Sequence, residues 1–530
     1  MKRKLLGLLL SITMLITLFP AAMSVYAASS GVCGPNLTWT LDDEGTLTIN
    51  GSGKMYDYDS FGSQASPFNQ KAANIKKVII GNDVTYIGKY AFYKCNNITS
   101  IEIGEGVKSL GGLAFYECTS LSQVNWNAIS MENLPYNGYY FNSGAGASGF
   151  DVVFGDQVER IPDYAFSGAR NSTYPRVKSI QFGSSITSIG ESAFQQCIEL
   201  TSVDIPDYIT SIGESAFERC EGLTSVRIGD GITTLETYLF SGCNKLENIE
   251  FGKNVTSIGP SAFSYCRGLK SIDVPDSVTS ISRFAFSNCQ ALTDVRFGEG
   301  VTTIEEGVFC NCYKLENVEF SDNITSIGRL AFGYCDSLIN FDIPDSVTSI
   351  GTSAFEGCKG LTGVIIPNSV ATIAEKAFYS CDNLTDAYYK GTVEQWNTIS
   401  IASNNEKLTN AAIHFNYGLP EQYRINSISI KDMSGNSIQS IPTETFLATV
   451  SFTKVNASVD SVIVLAQYTE DDVCEGLMYI QTEDVPAGST MKLSIPVDNT
   501  SGAVVKLKAF CWRSFGSLTP LSNPVIFPAE

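Results

Sequence analysis

The chain has 530 residues, enough for two or three domains, and 44% of them are apolar, an ordinary share for a globular protein. Its 35 basic and 55 acidic residues leave a formal charge of −20. That balance disfavours nucleic acid and anionic membranes, both of which are held by a basic footprint.

The chain opens with a secretory signal. Lys2, Arg3 and Lys4 are positive, Leu5 to Phe19 is apolar, and Val25 and Ala27 supply residues −3 and −1 of a cleavage site after Ala27. No later segment is long and apolar enough to span a bilayer, so a secreted or surface-held mature chain is expected, with no transmembrane segment after cleavage. From 28 to about 74, the runs Leu37 to Leu41 and Thr46 to Ile49 flank the turn residues Asp42 to Gly45 and read as a hairpin.

From Ile75 onward the chain repeats itself. Residues 186–206 read ITSIGESAFQQCIELTSVDIP and residues 209–229 read ITSIGESAFERCEGLTSVRIG. Cysteines recur at 95, 118, 197, 220, 243, 266, 289, 312, 335, 358 and 381, every step being 23 residues except that from 118 to 197. A fixed period of this length marks a solenoid, whose units cannot bury their apolar faces alone. Within one unit Val203 and Ile205 alternate with Ser202 and Asp204, the pattern of a half-buried strand. A turn follows at Pro206 and Asp207, then a second, minor strand at Ile209 to Ile212. Gly213 to Phe217 is expected to form one helical turn that carries Ala216 and Phe217 inward. With that phenylalanine as marker, the coils centre on Phe92, Phe115, Phe141, Phe166, Phe194 and so on to Phe378. Phe141 and Phe166 belong to expanded coils. These coils lack the cysteine and carry Trp126, Tyr136, Tyr139, Tyr140 and a glycine-rich run from Gly144 to Gly149.

The consensus I-G-x-x-A-F-x-x-C-x-x-L-x-x-V/I-x-I-P resembles the BspA-type leucine-rich repeat of bacterial surface proteins, the type also found in Treponema pallidum. The resemblance implies a mainly β/α leucine-rich repeat solenoid over 75–390, with 23-residue coils, an N-terminal β cap over 28–74 and a C-terminal cap over 391–417. A linker over 418–425 then leads to 426–530, where short strand-like runs between turn signals suggest a small all-β, sandwich-like domain. The resemblance also implies adhesion or recognition of a protein or glycan on a host or bacterial surface.

Little in the chain points to catalysis. His414 is the one histidine, beside an apolar strand, so no histidine pair can hold zinc and any Ser-His-Asp triad rests on it alone. Cys310 and Cys312 are spaced as a metal pair without two further ligands. No metal, cofactor or catalytic residue is expected. A secreted enzyme with carboxylate chemistry in or near the C-terminal domain, or a structural envelope component, remains the alternative. The ladder cysteines should be buried thiols, not disulfides, since equivalent positions in adjacent coils point the same way. A bond between Cys474 and Cys511, the only two cysteines of the last domain, stays open.

Binding is expected on the outward face of the strands. There Asp204, Arg227, Glu250, Asp273, Arg296, Glu319 and Asp342 occupy one row, beside a row of small polar residues that includes Ser202, Ser225 and Asn248. Solenoids bind through such extended faces. Tyr136, Tyr139 and Tyr140 complete the candidate site as broad aromatic contacts on the loop of the expanded coils.

Overall fold

The structure is a computed structural model. It describes residues 29–60, 62, 64–136, 138–141, 148–168, 174–415, 417, 423–438, 440–442, 444–454, 462–469, 474–481, 490–499, 504, 506–512 and 525–527. The expected signal sequence, Gly144 to Ala147 and most of the expected linker lie outside the described residues. The chain divides into two compact units, residues 1–301 with 305–319, and residues 302–304 with 320–530.

In both units the chain winds as a β-solenoid, and the cause is visible in a single coil. Ser202–Asp204 is a strand whose central Val203 is buried while Ser202 and Asp204 face out. It pairs in parallel with Ser225–Arg227 of the next coil, which pairs with Asn248–Glu250. Ser211–Ile212 forms the second, minor strand, with Ile212 inward. At the corners threonine hydroxyls donate to the carbonyl one coil earlier, as from Thr210 to Thr187 (3.2 Å) and from Thr224 to Thr201 (2.9 Å).

The third side departs from the expected helical turn. Gly213 to Cys220 is a run of tight turns in which Ser215 (φ 55°) and Arg219 (φ 57°) are left-handed. The N–H groups of Ser215, Phe217 and Arg219 each donate to the next coil, to the carbonyls of Thr237, Leu239 and Ser241 at 2.9, 3.0 and 2.7 Å. A helix would consume those donors within its own turn, whereas left-handed residues two before and two after the phenylalanine aim them along the solenoid. Each non-glycine residue in that conformation costs about 1–2 kcal/mol, and the hydrogen bonds between coils offset it. The side therefore contains no helix. The described helices are Val393–Trp396 and Glu406–Thr409, of four residues each, and the 3-10 turn Asn69–Lys71. Ala216 and Phe217 still point inward and are fully buried.

The core is a set of ladders. In the first unit the marker phenylalanines stack face to face from Phe92 through Phe115, Phe141, Phe166, Phe194 and Phe217, with centroids 5.0–5.6 Å apart. Phe141 and Phe166 keep their places although their coils are expanded and lack the cysteine. The stack extends one ring upstream to Phe68, 5.0 Å from Phe92. The predicted hairpin forms as Leu37–Leu41 against Thr46–Gly51, and the second of these strands pairs in parallel with Lys77–Ile80. In the second unit Phe332, Phe355 and Phe378 continue the pattern at 5.6 and 5.2 Å.

Beside the rings runs the cysteine ladder. Cys220, Cys243 and Cys266 are buried thiols outside any disulfide. Each sulfur donates to the carbonyl of the preceding coil's phenylalanine, as from Cys243 to Phe217 and from Cys266 to Phe240, both at 3.3 Å.

The C-terminal domain is two four-stranded antiparallel sheets. Ser437–Ile438, Tyr423–Lys431, Phe446–Lys454 and Thr490–Val497 form one; Cys474–Gln481, Val462–Tyr468, Lys506–Trp512 and Val525–Phe527 form the other. Ile430, Phe446 and Val450 from the first pack with Leu465, Leu507 and Ala509 from the second, so the domain is a sandwich with one core. The register rules out a bond between Cys474 and Cys511. Cys474 pairs with Tyr468 on one flank of the central strand, and Cys511 pairs with Ile463 on the other. Strand length at ~3.3 Å per residue, added to two strand spacings, exceeds the ~7 Å that a disulfide can bridge.

Candidate functional site

The strand face is built by parallel register. Because each coil repeats the last, the residue between the two inward strand positions falls directly beside its equivalent. Asp204, Arg227 and Glu250 are partners across one three-stranded sheet, and Asp273, Arg296 and Glu319 across a second. Each sheet thus carries one arginine between two carboxylates.

Arg227 sits at the centre of the first set. Its Nη1 is 3.1 Å from Asp204, its Nη2 2.8 Å from Asp207 and its Nε 3.9 Å from Glu250. Arg296 is 3.2 Å from Asp273 in the second set. The carboxylates of Asp204, Glu250 and Asp273 remain about three-quarters exposed, at 75%, 76% and 75%. Ion pairs at such exposure contribute little to stability. They orient the carboxylates without removing them from solvent. The strand residues Ser202 to Asp204 and their equivalents in the next two coils line a shallow depression of about 310 Å³. In the second unit, Asp342 belongs to the same row and meets Lys390 at 3.3 Å, which also holds Asp345 at 2.7 Å.

Asp207 was not among the residues expected at the site. The arginine beside it and the Asp230 N–H, which donates to its Oδ1 at 3.1 Å, hold its carboxyl below the ordinary 3.8. The pattern recurs one coil on, where the Lys253 side chain and N–H lower Asp230. The signal lies in the sequence as an aspartate in the turn after the strand, repeated at 207, 230 and 276. It was legible as a turn residue and not as a partner of the strand row.

The tyrosines part company with that row. Tyr139, half-buried with φ 47°, lies two residues before Phe141 on the turn side of its coil, not on the strand side with Asp204. Tyr140 is 3% exposed, with its hydroxyl 3.5 Å from the Pro135 carbonyl. Its ring is core and offers no contact area, which corrects its place among the candidates. Tyr140 holds the place that Ala216 has in a regular coil, directly before the marker phenylalanine, so it turns inward with Phe141. Tyr136 is exposed and meets Tyr164 edge-on at 5.3 Å. The structure brings the charged residues together by sheet and leaves Tyr136 and Tyr139 on another side of the coil.

His414 also has a structural partner. Its Nε2 is 2.7 Å from Asp386, and its ring stacks on Tyr388 at 4.8 Å. Among the described residues no group of three or more His, Cys, Asp or Glu side chains is placed to hold a metal ion. No helix among them is long and apolar enough to cross a membrane.

Coils of this length, with an outward strand row and a phenylalanine–cysteine core, define a leucine-rich repeat protein. The chain belongs to the BspA type leucine-rich repeat family, whose repeat region matches residues 64–174, 172–293 and 279–409, well over half of its length. Among solved structures it is similar to a leucine-rich repeat protein from Bacteroides ovatus ATCC 8483, at 25% identity over 72% of this chain and 98% of that one, with a TM-score of 0.42. It is also similar to a leucine rich cell surface protein from Faecalibacterium prausnitzii A2-165, at 24% identity over 71% and 98%, TM-score 0.34. A leucine-rich repeat protein from Treponema pallidum is 20% identical over 51% of this chain and 89% of its own, TM-score 0.26. No curated protein matches the chain.

Proposed function

We propose that this is an exported, non-catalytic interaction protein that recognises a protein on a host or bacterial surface through the strand face of its solenoid. The observation that carries the reading is the pair of carboxylate–arginine–carboxylate sets, Asp204–Arg227–Glu250 and Asp273–Arg296–Glu319, presented on open strands. Their backbone is held by parallel pairing across each sheet, so the positions that carry the side chains are fixed before a partner arrives. The exposed carboxylates favour a partner with basic side chains spaced along the coils, and the −20 charge of the whole chain steers such a partner inward. Export rests on the charged and apolar N-terminal run and on the family.

The test uses the full chain against an array of host and bacterial surface proteins, followed by variants on the partner it captures. Asp204→Ser with Asp273→Ser should weaken that partner by about tenfold and flatten the salt dependence of binding. Variants that fold and bind as tightly as the parent would place recognition elsewhere on the molecule.

A further inference from the structure

We propose that the turn side of the coils around Phe217 to Phe309 holds a second binding site, one that takes a neutral, linear, β-linked oligosaccharide. A groove of about 700 Å³ opens there. It exists because of one column of the repeat, the residue directly after each marker phenylalanine. In upstream coils that position holds the larger Tyr93, Tyr116, Gln195 and Glu218, with Ser167 a single small residue among them. In the next four coils it holds Ser241, Ser264, Ser287 and Cys310, and the column becomes a floor. The floor is polar and tied from coil to coil: the Ser241 and Ser264 hydroxyls lie 2.7 Å apart.

The walls come from the two left-handed positions. Tyr238, two residues before its phenylalanine, and Tyr265, two residues after, have φ of 55° and 60° and are 47% and 46% exposed. Tyrosine rings beside a row of hydroxyls match a pyranose, which has an apolar face of C–H groups and a rim of hydroxyls.

Spacing selects a sugar over a peptide. The rings beneath the groove, from Phe217 through Phe240 and Phe263 to Phe286, succeed one another at 5.5, 5.5 and 5.4 Å. One such step is close to the length of one pyranose unit in an extended chain. An extended peptide repeats its side chains on one face only every ~6.6 Å and drifts out of register with the coils.

Charge selects a neutral chain. The lining contains two arginines, Arg219 and Arg267, and two glutamates, Glu218 and Glu221. Arg219 approaches Glu221 at 3.9 Å, and Arg267 lies over the Tyr265 ring at 5.9 Å. The groove is thus a balanced patch on a strongly acidic protein, suited neither to a polyanion nor to a basic segment.

The experiment is calorimetric titration of the full chain with cellohexaose and chitohexaose, and with an oligogalacturonate as the charged control. Saturable binding of at least one neutral chain, with none of the galacturonate, is expected. Three variants replace groove residues by ones that already occupy the equivalent position in another coil: Tyr238→Ser as at Ser261, Tyr265→Asn as at Asn288, and Ser264→Gln as at Gln195. Removal of either tyrosine should weaken binding by about tenfold, and the glutamine should block it. Unchanged circular dichroism and urea midpoints confirm that each variant folds. Asp273→Ser, on the strand side, should leave sugar binding as it was. The proposal is overturned if neither neutral chain binds, if the galacturonate binds as well, if the three groove variants bind like the parent, or if Asp273→Ser removes the binding.

Discussion

A single phenylalanine per coil carries much of the stability. Phe263 is fully buried and stacks between Phe240 and Phe286 at 5.5 and 5.4 Å. Its loss would remove these two stacks and an edge-on contact with Phe251 at 6.1 Å, and leave a cavity that the neighbouring coils cannot close without breaking their own register. Phe263→Ala should therefore cost ~3–5 kcal/mol, read as a lowered urea midpoint. An unchanged midpoint would mean that the ring is not part of the ladder. The cysteine next to it has a use beyond its volume. The Phe240 carbonyl accepts the Cys243 N–H at 3.2 Å and the Cys266 S–H at 3.3 Å, so both of its lone pairs are used. Alanine at 266 would fill part of the space and give up the second bond, which accounts for a thiol at a position that needs only a small apolar group.

At the level of the element, the turn side has a direction, and the two ends of the solenoid need different chemistry. Each donor points toward the following coil, so the first regular coil is left with unused carbonyls and the last with unused N–H groups. At the first end Ser66 donates its hydroxyl to the Ala91 carbonyl, and Asn69 donates to the Tyr93 carbonyl at 2.9 Å. At the last end the need is for an acceptor. In a regular coil the Phe355 N–H donates to Ala377 at 2.8 Å; the Phe378 N–H donates instead to Asn405 Oδ1 at 3.0 Å. The Asn405 amide in turn donates to the carbonyls of Ala374 and Ala402, both at 2.9 Å. Its side chain, 2% exposed as a residue, stands in for a coil. Asn405→Ala leaves the buried Phe378 N–H unpaired and should cost about 1–3 kcal/mol. The loss should appear first as faster amide exchange at Phe378. Exchange there that matches the parent would show that water replaces the asparagine without penalty.

Over the whole molecule the thiols act together on its response to pH. Burial pushes Cys95, Cys289 and Cys381 from the ordinary 9.0 up to about 12, and it raises Cys243 and Cys266 as well. The unfolded chain releases these protons from near pH 9 upward, while the folded chain keeps them. Unfolding is then accompanied by proton loss, and stability falls as pH rises. The contribution is complete below about pH 9 and is lost as pH climbs toward about 12. Each such thiol adds up to about 1.4 kcal/mol per pH unit to the slope within that window. Urea midpoints taken from about pH 8 to about pH 11 should fall steeply, and more gently in a variant with Cys243, Cys266 and Cys289 changed to alanine. Equal slopes in the two proteins would show that the thiols ionise without unfolding. The same burial predicts that alkylating reagents label these residues only after denaturation.

The repeat, the inward and outward positions of its strands, the burial of its cysteines and the phenylalanine of each coil were legible in the sequence, even for Phe141 and Phe166, where the cysteine is missing. All of these follow from period and hydrophobicity, which are properties of one coil read many times. Three features were decided only in three dimensions. The expected helical turn became a ladder of left-handed turns, because donors that a helix would satisfy locally find stronger use in the next coil. The strand row, a line of mostly acidic letters in sequence, became two sets each with one arginine between two carboxylates, and the groove arose from small residues in one column flanked by tyrosines in two others. A sequence states what each coil contains. Which residues of successive coils meet depends on how the backbone of one coil is satisfied by the next, and that is settled by hydrogen bonds between residues 22 or 23 positions apart.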